Sequence, residues 1–365
     1  MRIVIDFRIF GTKPGGLGRY NQEFLSELKK LDKSNHYILL FKETPEINLP
    51  DNFEIKICDC HWYGIKEQIV LPWVLYKLKP DLVHFPHFNV PIFYSGNFVV
   101  TIHDLIMTKF PSRKASTLNT FWFKIKYWFY KQVIRNAVKN SKKIIAVSKF
   151  TAKDIKEYFQ LEDREAKKIE VIYEGVSTYF SSQKEPFNLP QNYFLYIGNA
   201  YPHKNLEFLI EVFKEFWQKH SEYYLILVGQ KNYFYEKLAK DIDCPNVIFT
   251  GYVADDKLDS YYKNARAYIF PSLYEGFGLP PLEAMSYGLP VLSSDSSSLP
   301  EVLGHSALYF NPKDREDLKK KMFEIINDND LRNNLIRTGY KQIDKYSWRK
   351  MSEEILEIYK KLDNV

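Results

Sequence analysis

Cysteine is scarce in this chain, which has only Cys58, Cys60 and Cys244 among its 365 residues. No second pair stands at zinc-ligand spacing from Cys58 and Cys60, so the sequence indicates neither a zinc ribbon nor a disulfide framework. The chain also lacks the run of about 18 apolar residues that a membrane-spanning helix needs. Its start, MRIVIDF, has neither the basic flank nor the cleavage site of a signal peptide. These absences predict a cytoplasmic protein in a reducing compartment.

Acidic residues are missing from one long segment. Twelve Lys or Arg residues and no Asp or Glu stand between Asp104 and Asp154, although the net charge of the whole chain is only +6. The rest of the chain is therefore net negative. Such a local excess indicates an anionic partner at one place and argues against general coating of nucleic acid.

The chain does contain short apolar runs that alternate with amphipathic stretches of helical period. Alternation of this kind requires parallel strands joined by crossover helices, and the length favours two domains of roughly 100 to 200 residues. We therefore predict an α/β fold with two Rossmann-like, doubly wound parallel-sheet domains that face a central cleft. The strands are expected at residues 3–7, 36–41, 53–58, 82–85, 98–102 and 144–147, and then at 193–197, 224–228, 247–249, 267–270 and 291–293.

The predicted domain boundaries follow from where this alternation stops and restarts. The first domain is expected at residues 1–175 and the second at residues 193–345. A polar stretch rich in turn formers predicts a linker at 176–192. A terminal helix at 346–365 is expected to pack back on the first domain, with Ser347 as its N-cap.

Ligands of open parallel sheets bind beyond the carboxyl ends of the strands, so the loops there are the candidate sites. The first such loop has Gly15 and Gly16 just before a helix, where the backbone can approach a phosphate and free amides can bind it. A turn that packs the helix on the strand is the alternative. A dinucleotide-binding fingerprint is disfavoured, because Asn21 stands where its third glycine would fall and Phe41 ends the second strand where an acid belongs.

Three histidines follow two of the predicted strands. His103 comes directly after the strand at 98–102, and this position favours a functional role over the structural role that most lone histidines have. His84 and His87 lie at the end of the strand at 82–85. These histidines do not specify a zinc ligand set, so no metal site is expected.

The second domain supplies a lysine and two glutamates. Lys204 begins a helix, where its charge opposes the helix dipole unless an anion also binds, so it is a candidate phosphate ligand; a solvated first-turn lysine is the alternative. In the segment 268–292, Glu275 precedes a Gly-Phe-Gly loop and Glu283 sits early on the next helix. Paired carboxylates beside a glycine loop are natural acceptors for the hydroxyl groups of a sugar.

These residues belong to sequence motifs that resemble one family along nearly the whole chain. The motifs are GGLGRY, VTIHDL, AVSKFTAKDI, VIYEGV, YIGNAYPHKN, the Glu-x7-Glu segment from Glu275 to Glu283, and YSWRK before the terminal helix. They resemble family 4 of the retaining glycosyltransferases, which have the GT-B fold. The resemblance extends to the subgroup of mannosyltransferases that build bacterial surface polysaccharides.

The resemblance implies a role for each matching residue. His103 would contact the transferred sugar near the reacting carbon, Lys204 would bind the donor diphosphate, and Glu275 would bind sugar hydroxyls; these three are the candidate catalytic residues. Glu283 is similar to the family's ribose ligand. The other donor-binding residues implied are Gly15, Gly16, Asn199, Val253, Phe277, Gly278 and Leu279. Many relatives have arginine at the positions of Asn199 and His203, so Lys204 would compensate more of the phosphate charge here.

The expected function is a retaining, metal-independent hexosyltransferase that needs no cofactor. Its donor would be a nucleotide-diphosphate sugar, GDP-mannose in preference to a UDP-sugar, bound by the second domain. Its acceptor would be a glycan or a polyprenyl-diphosphate-linked saccharide, bound by the first domain. A sugar-nucleotide epimerase of the same fold and a noncatalytic nucleotide-sugar-binding protein are the alternatives, and nucleic acid is not an expected partner.

The acid-free segment has aromatic residues interleaved with its lysines. Residues 120–139 have helical period but are apolar on almost all sides, so some of the rings are expected to face outward. The expected surface residues are Trp122, Lys124, Lys126, Trp128 and Lys131. Such a helix suits an anionic membrane interface, and a core helix with a basic solvated face is the alternative. We therefore expect peripheral contact with the inner face of the membrane.

Overall fold

The computed structural model describes residues 1–11, 15–111, 120–177, 189–240 and 242–363. The chain divides into two compact units, one made of Met1–Gly175 with Ser347–Val365 and the other of Val176–Tyr346. Each unit contains one parallel sheet. Most of the linker predicted at 176–192 lies outside the described residues.

The strands follow the order of the chain in two groups. In the first unit they are β1 (Arg2–Asp6), β2 (His36–Phe41), β3 (Phe53–Ile57), β4 (Leu82–Phe85), β5 (Phe98–Ile102), β6 (Lys143–Ala146) and β7 (Ile169–Val171). In the second unit they are β8 (Tyr193–Ile197), β9 (Tyr224–Val228), β10 (Val247–Gly251), β11 (Ala267–Phe270), β12 (Val291–Ser294) and β13 (Ala307–Phe310).

Most strands are followed by a helix. The helices are α1 (Gly16–Leu31), α2 (Ile65–Leu78), α3 (Ile106–Lys109), α4 (Thr120–Asn140), α5 (Lys149–Phe159), α6 (Asp163–Ala166), α7 (Leu206–Trp217), α8 (Tyr233–Lys240), α9 (Asp255–Asn264), α10 (Leu279–Ser286), α11 (Leu299–Leu303), α12 (Arg315–Asn327), α13 (Asn329–Ile343) and α14 (Trp348–Asp363).

Both sheets are doubly wound, which confirms the predicted architecture of two Rossmann-like domains. The strand order is β3-β2-β1-β4-β5-β6-β7 in the first unit and β10-β9-β8-β11-β12-β13 in the second. In each sheet the chain first adds strands on one side of the starting strand and then on the other. The change of side falls between β1 and β4 in the first sheet, and between β8 and β11 in the second. Ligands of such sheets bind in the crevice at this switch point, so each unit has one favoured position for a site.

The first unit buries one face of its sheet under α2 and α4. Leu71 and Leu75 of α2 and Ile134 of α4 are fully buried in this core. The terminal helix α14 packs against α1 of the same unit. Tyr359 of α14 is fully buried, and its hydroxyl hydrogen-bonds Nδ1 of His84 at 2.5 Å. The Ser347 hydroxyl accepts from the Lys350 amide at 3.4 Å at the start of α14.

Candidate active site

The switch point of the second unit brings together two loops that are far apart in sequence. The loop after β8 contains Lys204, and the loop after β11 contains Glu275. Because β8 and β11 are neighbouring parallel strands, their carboxyl ends open at the same edge of the sheet. Nζ of Lys204 lies 2.6 Å from Oε1 of Glu275. The exposed fractions of the two side chains are only 13% and 9%, so the ion pair is largely shielded from solvent.

Lys204 keeps hydrogen-bonding capacity beyond this ion pair. An ammonium group has three N–H donors, and Glu275 accepts from Nζ of Lys204 through one oxygen. Nζ also lies 5.3 Å from the centre of the Phe270 ring, at the end of β11. The lysine is therefore held over the carboxyl end of the sheet with donors left for an anionic ligand.

Asn205 locks the Lys204 loop onto the sheet. Its backbone has a positive φ of 60°, a conformation that asparagine tolerates better than most residues. Its side-chain amide donates to the carbonyls of Pro271 at 3.2 Å and Pro312 at 2.9 Å. A backbone hydrogen bond from Leu273 to the carbonyl of His203 at 2.8 Å joins the same two loops. The position of Lys204 is thus fixed by hydrogen bonds of the residues on both sides of it, His203 and Asn205.

Two serines hold the Glu275 loop. The amide of Glu275 donates to Oγ of Ser297 at 2.8 Å. The hydroxyl of Ser298, which is fully buried, lies 3.0 Å from the carbonyls of both Glu275 and Phe277. Neither serine was predicted, although the run DSSSLP directly after β12 places hydroxyl groups at a strand end.

The other predicted donor ligands of this loop lie around the start of α10. Gly278 is the N-cap and has φ of 100°, and a Cβ atom at this position would come within 2.7 Å of Leu299. Phe277 is buried against Tyr346, whereas Leu279 is half-buried. Glu283 is half-buried in the second turn of α10, with its Oε2 3.5 Å from the hydroxyl of Tyr262.

Asn199 and Val253 lie in the loops after β8 and β10, at the same end of the sheet. The Asn199 side chain accepts from the amide of Tyr201 at 3.3 Å, and both Asn199 and Val253 are half-buried. The structure therefore brings Lys204 and Glu275 into direct contact and places the remaining predicted donor ligands of the second unit on loops at the same edge or in the first two turns of α10.

The first unit has a second cation–carboxylate contact. His103 follows β5, and its Nδ1 lies 2.8 Å from Oε1 of Glu174, which follows β7. Its Nε2 lies 2.9 Å from the carbonyl of Pro86, which follows β4. The ring of Tyr20 packs edge-on against the imidazole, with 4.7 Å between ring centres. Glu174 belongs to the motif VIYEGV, but the sequence predicted no role for it.

These partners determine the protonation of His103. A carbonyl oxygen can only accept a hydrogen bond, so Nε2 carries a proton, and the carboxylate favours a proton on Nδ1 as well. Burial disfavours the charged ring. The hydrogen bond and the negative charge of Glu174 outweigh burial and raise the pKa of His103 above its ordinary value. Both ring nitrogens of His103 therefore face acceptors, which favours the charged ring and leaves neither nitrogen free to act as a general base.

The other histidines near β4 are neutral. Burial and then the charge of His103 lower the pKa of His84 and of His87 to about 3. Both nitrogens of His84 have hydroxyl partners, since Nε2 lies 3.0 Å from Oγ1 of Thr101 and Nδ1 contacts Tyr359. His84 is thus a satisfied core residue. Within the described ranges, no group of three or more His, Cys, Asp or Glu side chains could hold a metal ion.

Gly15 and Gly16 stand exposed at the start of α1. Gly15 is the N-cap, with φ of 76°, and no side chain caps the first amides of the helix. No acidic residue occupies its first turn. The geometry is compatible with a phosphate at this helix N-terminus.

The exposed surface of the first half of α4 is aromatic and basic. Trp122 and Trp128 are 56% and 55% exposed, and Lys124, Lys126 and Lys131 are exposed beside them. A second exposed apolar stripe, which was not predicted, lies on α2. It consists of Ile65, Ile69, Trp73 and Tyr76, with exposed fractions of 82%, 64%, 57% and 48%.

These four residues recur at the helical spacing that places them on one side of α2. Nζ of Lys77 lies 3.6 Å from the centre of the Trp73 ring. No helix in the described part of the chain is long and apolar enough to cross a membrane.

Comparison with known proteins identifies both halves of the chain. Residues 14–180 match the model of Glycosyltransferase Family 4, and residues 178–342 match that of Glycosyl transferases group 1. The O-antigen chain mannosyltransferase RfbU of Salmonella typhimurium is 31% identical over 342 residues, which is 88% of this chain and 90% of RfbU. The O-antigen chain mannosyltransferase B of Escherichia coli is 28% identical over 304 residues, covering 80% of this chain and 77% of that protein.

Solved structures share the fold at lower sequence identity. Sucrose-phosphate synthase from Thermosynechococcus elongatus superposes with a TM-score of 0.77 at 17% identity, covering 100% of this chain and 99% of that one. WaaG, a glycosyltransferase involved in lipopolysaccharide biosynthesis, gives a TM-score of 0.71 at 18% identity, covering 98% and 99%. HepE of Anabaena, solved in complex with UDP-glucose, gives 0.72 at 15% identity, covering 99% and 100%.

Proposed function

We propose a donor and a reaction for this chain, which belongs to glycosyltransferase family 4 and is a glycosyltransferase. In this proposal it moves mannose from GDP-mannose to a saccharide acceptor, with retention of anomeric configuration, during assembly of a surface polysaccharide. The names of the O-antigen mannosyltransferases that it resembles support the sugar and the process. The contact between Lys204 and Glu275 is the observation that carries the proposal.

Lys204 would act on the leaving group. Transfer breaks the bond between the anomeric carbon and the diphosphate oxygen, so negative charge grows on that oxygen. A fixed ammonium group in a partly shielded site stabilises such charge strongly, because it needs no reorganisation during the reaction. Lys204 has the donors for this role and is held in place by the loops on both sides.

Glu275 would hold the sugar that is transferred. Its Oε1 is taken by Lys204, and its other carboxylate oxygen is an acceptor for sugar hydroxyls. Glu283 would bind the ribose, and Val253 would contact the base. His103 of the first unit, whose two ring nitrogens both face acceptors, would not remove the acceptor proton itself. The leaving phosphate would then help to take that proton.

The donor is tested by thermal unfolding with a panel of nucleotide sugars. A ligand at about 100 times its dissociation constant adds roughly 2.7 kcal/mol to the free energy of unfolding. We expect GDP-mannose to stabilise the protein most, with UDP-glucose as the comparison. Nuclear magnetic resonance of donor, enzyme and a mannose-terminated oligosaccharide should then show a new α-mannosyl linkage. A changed sugar nucleotide without any acceptor would indicate an epimerase, and binding without turnover would indicate a noncatalytic protein.

Transfer is proposed to need no metal. The phosphate charge would be met by Lys204 and by the amides at the start of α10. Transfer assayed in EDTA should match transfer assayed in magnesium. A complete loss in EDTA that a divalent ion restores would contradict this part of the proposal.

We also propose that the first unit rests on an anionic membrane surface. The exposed rings of α4 and the α2 stripe supply apolar area, and Lys124, Lys126 and Lys131 supply positive charge. Each cation near an anionic leaflet contributes about 1 kcal/mol. A polyprenyl-diphosphate-linked acceptor would place the reaction at this surface and would explain why the surface lacks acidic residues.

Vesicle sedimentation tests the membrane contact. A variant with Lys124→Glu, Lys126→Glu and Lys131→Glu should lose binding to anionic vesicles while it still hydrolyses donor in solution. The matched control changes three exposed lysines of the second unit in the same way, Lys219→Glu, Lys313→Glu and Lys341→Glu, and should keep binding. Equal partition of the wild type onto neutral and anionic vesicles, or none onto either, would rule out the membrane contact and leave a soluble acceptor.

A further inference from the structure

Two cysteines of the first unit lie side by side in the loop after β3. Cys58 is 2% exposed and Cys60 is fully buried, and their Sγ atoms are 3.3 Å apart. The amide of Cys58 donates to the carbonyl of Phe41 at 2.8 Å and so continues the pairing of β3 with β2. The amide of Cys60 then donates to the carbonyl of Cys58 at 2.8 Å, which closes a tight turn. This turn brings the two thiols together.

A buried cation faces the second thiol of the pair. Nη1 of Arg8 lies 3.1 Å from Sγ of Cys60 and 3.1 Å from the carbonyl oxygen of the same residue. The Arg8 side chain is only 2% exposed, and it also pairs with Asp6 at 2.7 Å and with Glu67 at 2.6 Å. The two carboxylates therefore hold the guanidinium in place while Nη1 donates to the Cys60 sulfur.

These contacts make the two sulfurs chemically different. The hydrogen bond from the Cys58 thiol, and also the positive charge of Arg8, lower the pKa of Cys60. Burial and the charge of Asp6 oppose this shift without cancelling it. The hydrogen bond to Cys60 and burial raise the pKa of Cys58. Cys60 is therefore the sulfur that forms a thiolate, which is the nucleophilic form of cysteine, and Cys58 keeps its proton.

We propose that Cys60 is a modification site for hydrogen peroxide and that Cys58 makes the modification reversible. The Cys60 thiolate attacks one peroxide oxygen, so an S–O bond forms and the O–O bond breaks. The departing hydroxide takes up the proton that Cys60 released, which leaves water and a sulfenic acid. The Cys58 sulfur then attacks the Cys60 sulfur, and the S–O bond breaks as the S–S bond forms. The hydroxyl group leaves with the Cys58 proton as a second water, so the sulfurs are oxidised and the peroxide is reduced.

The position of the pair suits both steps. The two sulfurs need to approach from 3.3 Å to the bond length of a disulfide, about 2.05 Å. Burial keeps bulky disulfides such as oxidised glutathione away from the pair, whereas hydrogen peroxide is close to water in size. A neighbouring thiol also prevents oxidation of the sulfenic acid to the irreversible sulfinic acid. Cys244 belongs to the second unit and stands apart from this pair in the sequence.

Mass spectrometry of the intact protein after treatment with hydrogen peroxide tests the proposal. The wild type should lose about 2 Da, the mass of the two hydrogens, and dithiothreitol should restore the original mass. The tryptic peptide 57–66 contains both cysteines and should carry the whole mass loss. Cys244→Ser is the matched control, because it removes the cysteine outside the pair, and it should show the same mass loss.

Two single variants separate the roles of the two cysteines. Cys58→Ser keeps a hydroxyl donor for the Cys60 sulfur but removes the second thiol, so oxidation should stop at a sulfenic acid that dimedone labels. More peroxide should then add about 32 Da, the sulfinic acid, which dithiothreitol does not reverse. Cys60→Ser should leave Cys58 unlabelled, because burial still raises the pKa of Cys58. Thermal unfolding checks each variant, and the wild-type measurements decide even if a variant fails to fold.

Three results would overturn the proposal. They are no mass loss in the wild type, a disulfide that involves Cys244, and equal dimedone labelling of Cys58→Ser and Cys60→Ser. GDP binding, measured on the same protein in its reduced form, does not depend on this thiol chemistry. The proposed transferase function is therefore tested separately.

Discussion

The two units of this chain use a cation–carboxylate pair in different ways. In the first unit, His103 and Glu174 are 2.8 Å apart, and in the second, Lys204 and Glu275 are 2.6 Å apart. Both pairs lie at the carboxyl ends of parallel strands and are largely buried. Both ring nitrogens of His103 already have protein partners, whereas Lys204 keeps donors beyond its carboxylate. The first pair is therefore suited to holding a charge in a fixed position. The second pair is suited to binding an anionic ligand through the remaining N–H donors of Lys204.

This difference predicts that removing either partner of the second pair has the largest effect. Lys204→Ala and Glu275→Ala should each lower turnover at saturating donor about 100-fold or more, as loss of one charge-stabilising contact does. Lys240→Ala removes an exposed lysine from α8 of the same unit and is the matched control. Thermal unfolding of each variant checks that the fold persists. Near-normal turnover of both site variants would show that the pair is assigned to the wrong role.

Breaking the first pair should have a smaller effect with a distinct pH dependence. Glu174→Gln should lower turnover roughly tenfold, because groups that position a reacting or binding residue typically contribute roughly 10- to 100-fold. In the wild type the His103 charge, and activity that depends on it, is lost as the pH rises through the raised pKa. Without the carboxylate charge, burial dominates and lowers the pKa of His103, so the same loss should occur at lower pH.

Titration of labelled histidine by magnetic resonance measures this shift directly. Glu170→Gln is the matched control, since Glu170 pairs with Lys143 on the surface of the neighbouring strand. Because the folded-state pKa of His103 is raised, the His103–Glu174 pair stabilises the fold at lower pH. The contribution of the His103–Glu174 pair is complete below the unfolded histidine pKa of about 6.5 and is lost as the pH rises through the folded value. A His103 pKa that is the same in Glu174→Gln and in the wild type would contradict the pairing.

Glu283→Ala should have the smallest effect on turnover. A ribose contact is present in the ground state and in the transition state alike, so its loss raises the Michaelis constant of the donor more than it lowers turnover. Steady-state kinetics with varied GDP-mannose separates the two parameters. A turnover loss as large as that of Glu275→Ala, with an unchanged Michaelis constant, would place Glu283 at the reacting sugar instead.

The fold was largely predictable because its strands are buried on both faces. The runs at 36–41, 82–85, 98–102, 193–197, 224–228 and 267–270 match observed strands residue for residue. No strand was predicted at β7 or β13, each of which lies at one edge of its sheet and has half or more of its residues only half-buried. Edge strands of this kind lack the continuous apolar run that identifies a central strand.

The candidate site was predictable where a loop motif marks it and not where distant loops meet. Lys204 and Glu275 stand in recognisable segments, but the sequence gives no sign that they touch, because their contact depends on the pairing of β8 with β11. Glu174, Ser297 and Ser298 hold other residues in position, and no sequence motif indicates such a supporting role. The α2 stripe was missed because an exposed apolar face and a buried one have the same helical period.

Calorimetry of GDP binding tests the contrast between the two pairs most directly, since GDP presents the leaving diphosphate without the sugar. The account predicts that Lys204→Ala weakens GDP binding by about tenfold or more, as loss of a charge-assisted hydrogen bond does. It predicts that Glu174→Gln leaves GDP binding within about twofold of the wild type, which is less than 0.5 kcal/mol. Equal weakening in both variants, or none in Lys204→Ala, would contradict it.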